Sequence, residues 1–261
     1  MKRYGKRNFI ISICLLSILT LASCGTKAWK KEAGKLSDVE LIDQGLMAFE
    51  DMKNGQIHIE TKKDVVSKLA KEGQSGEFHQ KRTFDGSFEL RPDHILGKYS
   101  DGKKSYEYYG DSMAKYTKSE TESQWGNHKH VTIRYFQPVG INQQAVYILQ
   151  SRKNEIGVSR EEESFTLHFE SKDPAFLAAD GDILTGANFD SLRYGDKDVK
   201  AELKIELKLS NKDCQILGVN YTCHRESSYS VEDLQSQISY DKVNTGVCVK
   251  VPEGIAEAVI R

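Results

Sequence analysis

Two periods of hydrophobic and polar residues divide the chain into helix and strand segments. Between residues 37 and 53 the apolar side chains recur at spacings of three and four, which is typical of a helix with one apolar stripe. Ser37 and Glu40 form a capping box at its start, and Asn54-Gly55 marks its end. The predicted stripe consists of Val39, Ile42, Leu46 and Phe49.

From residue 56 onwards the period is mostly two, which predicts strands with one apolar face. The clearest case is residues 199–209, where Val, Ala, Leu and Ile alternate with Lys and Glu. Asp101-Gly102 predicts a hairpin between strands at 94–100 and 104–109. A short capped turn at 230–233 and a last strand to Val251 complete an antiparallel meander. The apolar strand positions include Ile57 and Ile59; Phe78, Phe84, Phe88 and Leu90; Val131, Ile133 and Tyr135; Phe165, Leu167 and Phe169; and Leu217, Val219, Tyr221 and Cys223.

The N-terminal residues have the three parts of a bacterial export signal. Several Lys and Arg residues precede an apolar run over residues 9–21, which is too short to span a membrane. The end of this run, Leu21-Ala22-Ser23-Cys24, resembles the lipobox of bacterial lipoproteins. The resemblance implies cleavage before Cys24 and attachment of diacylglycerol and an acyl chain such as palmitate to Cys24. An ordinary signal peptide with a chance cysteine is the alternative.

These segments predict the organisation of the whole chain. We expect residues 1–23 to be a lipoprotein signal peptide, residues 24–36 a lipidated N-terminus and flexible tether, and residues 37–261 a single domain. The anchor would hold the domain at the cell membrane, facing the extracytoplasmic side. The chain has 37 basic and 38 acidic residues, so no basic surplus indicates a nucleic-acid partner.

The order of elements resembles that of bacterial lipoproteins with a LolA/LppX-like domain, including surface lipoproteins of Gram-positive bacteria. The resemblance covers most of the predicted domain but includes no sharp motif. It implies an α+β fold in which a strongly curved antiparallel sheet, an incomplete β-barrel, has helices covering its concave face. It also implies space for acyl chains between the layers. The segments that carry it are residues 48–53, 84–92, 106–116, 199–209 and 240–253.

Catalytic and metal-binding motifs are weak in this sequence. No G-x-S-x-G, H-E-x-x-H or Gly-rich phosphate loop occurs, so we predict no enzyme and no cofactor. Ser100 and Lys103 match S-x-x-K by letters, but the segment coincides with the predicted hairpin and lacks the companion motifs. His128 and His130 could share a metal on a strand, but without a third ligand a solvated turn is favoured and no metal site is predicted.

Three cysteines follow the predicted lipidation site, and they allow three single pairings. If the strand ending near Ser227 is antiparallel to one starting near Ser239, Cys214 and Cys248 come roughly level. This favours a Cys214–Cys248 disulfide and leaves Cys223 as a small buried residue. A bulge at Gly246 would change the pairing. A structural bond is favoured over redox chemistry because no C-x-x-C occurs.

Aromatic and aliphatic residues on the apolar strand faces allow two functional hypotheses. They either line a cavity that holds a lipid or another hydrophobic ligand, or fill an ordinary core in an interaction or structural lipoprotein of the cell envelope. In the first hypothesis the chain binds or carries the lipid; in the second the sheet or its loops meet a protein or polymer partner. The candidate cavity residues are Phe49, Phe78, Phe84, Phe88, Tyr135, Phe165, Phe169 and Ile205.

Overall fold

The computed structural model describes residues 35–71, 75–90, 93–111, 114–128, 149–172 and 200–260. Helix α1 spans Asp38–Glu50, and Lys153–Glu155 form a short 3-10 helix. The strands are Asn54–Ser67 (β1), Glu77–Glu89 (β2), His94–Ser100 (β3), Ser105–Asp111 (β4), Lys115–Ser119 (β5), Gly126–His128 (β6), Gly157–Arg160 (β7), Ser164–Ser171 (β8), Lys200–Ser210 (β9), Ile216–Glu226 (β10), Ser230–Asp241 (β11) and Val259–Ile260 (β12).

The described strands form one large, curved and unclosed sheet, in the order β12-β6-β5-β4-β3-β2-β1-β11-β10-β9-β8-β7. Neighbouring strands are antiparallel except for β12, which pairs with β6 in parallel. Strand β1 is central because it pairs with β2 on one side and with β11 on the other. The predicted antiparallel meander is therefore two consecutive meanders joined through β1 and β11.

Alternation along the strands gives the sheet two chemically different faces, as predicted. In β9 the side chains from Ala201 to Leu209 that point to one side are buried, and the Lys and Glu residues between them lie on the other side. We call the side with the buried core the inner face and the other the outer face. Leu217 is an exception to the prediction, because a β-bulge between Ile216 and Gly218 leaves it 37% exposed.

Helix α1 packs on the inner face and begins as predicted. The Ser37–Glu40 capping box is present in both directions, with the Ser37 amide 2.8 Å from Glu40 Oε2. The buried stripe differs from the predicted one, because Val39 is 66% exposed. The helix also ends at Glu50, and Asn54-Gly55 opens β1 instead of following the helix directly. The residues of α1 that are buried are Leu41, Ile42, Gly45, Leu46 and Phe49.

Gly45 lets α1 approach the sheet closely. A Cβ atom at this position would lie 2.6 Å from Leu167 Cδ1 and 3.4 Å from Leu209 Cδ1. Because no side chain stands between the helix backbone and these two leucines, they pack directly against the helix. The main contacts of α1 with strands are to β7 and β10, so the helix lies over the β7–β10 half of the inner face.

A turn after β11 directs the C-terminal segment away from β10. The Asn244 side chain accepts a hydrogen bond from the Lys53 amide (2.7 Å) and donates one to the Asp51 carbonyl (3.1 Å). Asn54 Oδ1 in turn accepts the amides of Gly246 and Val247, at 3.1 Å each. These bonds fix the chain across the start of β1, so β11 ends at Asp241 and the strand predicted to reach Val251 is wrong.

The same turn explains why the predicted Cys214–Cys248 disulfide does not form. Cys214, Cys223 and Cys248 are free thiols. Cys214 precedes β10, whereas Cys248 lies beyond the turn, beside Val249, whose amide donates to Glu89 of β2. The predicted pairing assumed a strand starting near Ser239, but β11 starts at Ser230, and the β10–β11 register places Ser239, near the end of β11, opposite Gly218. The predicted turn at 230–233 is likewise the first part of β11.

The C-terminal segment packs on the outer face and forms a second, small cluster there. Tyr109, Trp125 and Val249 are buried in it, and the Trp125 indole donates to the Glu253 carbonyl at 3.2 Å. Val259 then pairs with Gly126 at the edge of the sheet. The part of the outer surface of β3–β6 around Tyr109 and Trp125 is thus covered by the chain's own C-terminal residues.

We expect Gly97→Ala to destabilise the fold, because β2 and β3 approach closely where Gly86 and Gly97 pair and the Phe84 ring lies over them. A Cβ at Gly97 would meet the Asp85 carbonyl oxygen at 2.2 Å and Phe84 Cζ at 2.6 Å. Overpacking of this kind costs about 1–3 kcal/mol. Urea unfolding measures it, with Gly157→Ala as the control, since nothing lies within 4 Å of a Cβ there. Equal stability of the two variants would contradict the close approach.

A thiol-counting experiment checks the free cysteines in residues 25–261. We expect three titratable thiols and no change in melting temperature on adding a reductant. Exposed Cys248 should react first, and Cys223 only after unfolding, because burial raises the pKa of the Cys223 thiol to about 11. A count of one thiol, or a melting temperature lowered by reductant, would show that a disulfide forms.

Candidate functional site

The inner face brings most of the predicted cavity residues together. They lie in one buried apolar cluster that extends from β8 to β4 and includes residues of α1. Phe78 does not join it: at the start of β2 it is 51% exposed, beyond the apolar part of the face, so its prediction as a cavity residue is wrong. Tyr135 lies outside the described residues. The predicted residues found in the cluster are Phe49, Phe84, Phe88, Phe165, Phe169 and Ile205.

Aromatic side chains dominate the part of the inner face formed by β2, β4 and β11. Phe84 meets Tyr108 edge-to-face with ring centroids 5.8 Å apart, and Phe88 meets Tyr240 in the same way at 6.1 Å. Burial raises the pKa values of Tyr108 and Tyr240 far above the usual value, so both phenols stay neutral. The aromatic rings therefore give this part of the face an apolar surface, and their hydroxyl groups carry no charge.

Helix α1 and the aromatic part lie over different strands. The principal strand contacts of α1 are with β7 and β10, and its Gly45 packs on residues of β8 and β9. Phe84, Phe88 and Tyr108 are on β2 and β4, on the other side of β1 in the strand order. One apolar surface thus continues from the strands beneath α1 to strands that are not main contacts of this helix.

Charged side chains occupy the opposite end of the inner face, which sequence reasoning missed. Arg225 and Glu232 are both buried and form an ion pair of 2.8 Å between directly paired positions of β10 and β11. Lys63 Nζ lies 3.9 Å from the second Glu232 oxygen. The sequence does contain a signal for the inward position of Arg225. Arg225 lies two residues after Cys223 and so continues the alternate, inward-pointing positions Val219, Tyr221 and Cys223. Its charge alone would favour the outer face, whereas its parity places it on the inner face.

Two further cations, Arg82 and Lys115, lie on the inner face. Arg82 precedes Phe84 by two residues on β2 and so points to the same side. Lys115 on β5 faces inward because it is two residues from Thr117, which pairs with Tyr108. Its ammonium nitrogen lies 5.6 Å from the centroid of the Tyr108 ring. Burial lowers the pKa of Lys115, and the charge of Arg82 lowers it further.

The outer face carries histidine–carboxylate pairs at directly opposed strand positions. His79 Nδ1 is 2.6 Å from Asp64, His224 Nδ1 is 2.7 Å from Asp233, and His58 bonds to Asp85. Asp64 and Asp233 also oppose each other in the β1–β11 pair, so each carboxylate adjoins one histidine and one like charge. The hydrogen bond to Asp64 raises the pKa of His79 above its usual value.

Two surface pockets lined by described residues also lie on the outer face. One of about 450 Å³ includes His58, Asp85 and Asp241 in its wall. The other, of about 330 Å³, includes Asp64, His224 and Asp233. Their walls are polar, which suits water and ions better than acyl chains.

The remaining predicted chemistry has ordinary structural explanations where the residues are described. Ser100 Oγ accepts the Gly102 amide at 3.3 Å, so S-x-x-K is part of the predicted hairpin. Backbone hydrogen bonds from Lys104 and Lys103 lower the pKa of Asp101 in this turn. Within the described ranges, no three His, Cys, Asp or Glu side chains are arranged to hold a metal ion. His128 Nε2 lies 2.8 Å from Thr117 Oγ1, and His130 is outside those ranges.

Comparison with known proteins finds similarity only at the level of structure. No protein-family model and no curated protein sequence matches the chain. The chain is similar to LprF from Mycobacterium bovis, with 9% identity, 82% of this chain and 96% of that chain covered, and a TM-score of 0.46. It is also similar to the LolA superfamily protein NE2245 from Nitrosomonas europaea, with 6% identity, 84% and 97% coverage, and a TM-score of 0.26.

Because both TM-scores lie below 0.5, the function proposed below rests on the strands, faces and side chains of this chain. None of the helices in the described residues is long and apolar enough to cross a membrane. Cys24 lies outside the described residues, so its lipidation remains a prediction.

We expect Asp64→Asn to lower the pKa of His79, because it removes the main partner of the imidazolium. Protonated His79 stabilises the fold below its unfolded pKa, and this contribution is lost as pH rises through the raised folded pKa. Histidine NMR titration measures the change. Asp85→Asn, which removes the partner of His58 on the same face, is the control. A His79 pKa that moves equally in both variants would contradict the assignment.

Proposed function

We propose that this protein is a non-enzymatic lipoprotein, anchored at Cys24 to the extracytoplasmic side of the cell membrane, that binds a lipid or another hydrophobic ligand on the inner face of its sheet. In this proposal the inner face is concave, and helical cover beyond α1 closes over the ligand. Burial of acyl chain supplies the affinity, at about 0.8 kcal/mol per methylene. No side chain takes part in bond-making chemistry.

The observation that carries the proposal is the extent of the apolar inner face compared with the footprint of α1. One cluster joins Phe165 and Leu209, near the helix, to Phe88 and Tyr108 on distant strands. A helix whose main strand contacts are β7 and β10 does not account for the whole of this surface. Apolar surface of this extent is stable only when covered, and an acyl chain is a suitable partial cover.

A second function, that of an envelope lipoprotein with a filled core, is favoured by the packing of the same residues. Phe84 is 1% exposed, and Phe88 and Phe165 are 0% exposed. Side chains this deeply buried already contact protein atoms on all sides. Ligand binding would then require the side chains around Phe84 and Phe88 to move apart, whereas an interaction lipoprotein would keep this core closed and use its outer surface.

Lipid uptake by residues 25–261, which lack the covalent anchor, distinguishes the two functions. We expect native mass spectrometry of the purified protein to show non-covalently bound lipid at a fixed stoichiometry. Ile59→Glu, at a half-buried inward position opposite Phe84, should reduce uptake by at least about tenfold, because the ligand must then meet a charge. Ile59 is less buried than Phe84 or Phe88, so the variant should fold.

Gln235→Glu is the matched control for this experiment. It adds the same carboxylate on the outer face of β11, directly opposite Lys62. Uptake should equal that of the parent chain, and circular dichroism and thermal unfolding verify that both variants are folded. A folded parent chain that takes up no lipid when offered it would contradict the proposal and support the filled-core lipoprotein.

A further inference from the structure

The distribution of charge on the inner face departs from what stability alone requires. A cation removed from water is normally paired with a carboxylate, as Arg225 is with Glu232. Arg82 and Lys115 are half-buried on the same face, and neither forms an ion pair with any described residue. The Arg82 Nε atom is inaccessible to solvent and has no hydrogen-bond partner.

These two cations lie near the same aromatic pair, Phe84 and Tyr108. Lys115 Nζ lies 5.6 Å from the Tyr108 ring centroid, Tyr108 is 5.8 Å from Phe84, and Arg82 stands two residues from Phe84 on the same side of β2. Two like charges held near each other in a partly desolvated place repel. The depressed pKa of Lys115 reflects both its burial and this repulsion.

The other charges that the described residues place on this face do not neutralise the pair. Glu232 is bonded to Arg225 and to Ser230, with Lys63 beside it, so its negative charge is shared by two other cations. Among the described residues, the cations on the inner face are therefore Lys63, Arg82, Lys115 and Arg225, and Glu232 is the acid beside Arg225 and Lys63. Lys115 is level with Phe88 in the strand register, away from Arg225. A bound anion between Arg82 and Lys115 would supply the missing negative charge.

We propose that Arg82 and Lys115 bind the anionic head group of an amphiphilic ligand whose apolar chains lie along the aromatic part of the inner face. This inference rests on the proposed function and names its ligand class: an amphiphile with a phosphate or similar anion at one end. The guanidinium donates hydrogen bonds to two oxygens of such a group, and the ammonium provides a second charge. The adjoining Phe84, Tyr108 and Phe88 then contact the first methylenes of the chains.

Competition between two lipids tests the head group separately from the chains. The full, acylated protein is extracted in detergent, stripped of bound lipid and offered equal amounts of phosphatidylglycerol and phosphatidylcholine with identical acyl chains. Native mass spectrometry then counts each adduct. We expect a preference of at least about tenfold for phosphatidylglycerol, the size of one or two charge-assisted hydrogen bonds.

Variants at the two cations connect the preference to the site. Arg82→Gln and Lys115→Gln should each reduce the preference, and the double variant should bind the two lipids equally while retaining phosphatidylcholine. Lys98→Gln is the matched control, because Lys98 is exposed on the outer face of β3 opposite Asp85. Loss of the like charges should leave the melting temperature unchanged or raised, since their repulsion is relieved.

The outcomes separate the two proposals. If neither lipid binds the parent protein, the proposed function fails. If both bind without preference, or if the preference survives in the double variant, the head-group site is overturned and hydrophobic binding stands. Inorganic phosphate is offered alone as a further arm. Phosphate binding that is lost in the Arg82 and Lys115 variants, together with no preference between the lipids, would show that the anion site exists. The assignment of this site to a lipid head group would then be overturned.

Discussion

The pairing of β1 with β11 is the constraint on which the rest of the structure depends. It joins residues 56–67 to residues 230–241 over twelve directly opposed pairs and merges the N-terminal and C-terminal meanders into one sheet. Because side chains alternate across a sheet, a shift of one residue in this register would turn every inward residue of one meander outward. Ile57 and Ile59 meet Tyr240 and Ile238 across this pair, so its hydrophobic contacts hold the register.

The two faces created by this register have separate roles in the molecule. The inner face concentrates the apolar residues and receives α1, with Gly45 permitting the close contact. The outer face carries opposed histidine and carboxylate residues, which contact each other at hydrogen-bond distance while remaining exposed to water. Tyr109, Trp125 and the C-terminal residues add a small second core to the outer face of β3–β6. This cover follows from the Asn54–Asn244 contacts, which turn the chain away from β10.

The two ends of the inner face differ, and that difference is central to the function proposed. One end has phenylalanine and neutral tyrosine rings, and the other has arginine and lysine side chains in partly desolvated positions. Arg82 and Lys115 form no ion pair with a described residue, and the desolvation of such cations opposes folding. In the proposed function, the head group of an amphiphile would neutralise these two cations and its chains would cover the aromatic rings. Because Phe84 and Phe88 are tightly packed, a ligand enters only if the side chains around them move.

The sequence by itself determined the local features of this protein, because they depend on neighbouring residues. The Ser37–Glu40 capping box, the Asp101-Gly102 hairpin and the alternation of residues 200–209 were all predicted, and the structure contains them. The sheet as a whole followed from the same period of two.

Only the tertiary structure decided features that depend on residues distant in the chain. The bulge that exposes Leu217, the turn at Asn244 that separates Cys214 from Cys248, and the exposed position of Phe78 all follow from strand register and long-range hydrogen bonds. The inward cations were missed for the same reason. A charged residue in an alternating strand is assigned outward by its type, whereas its actual side is set by the register of its neighbours, and register is a property of the assembled sheet.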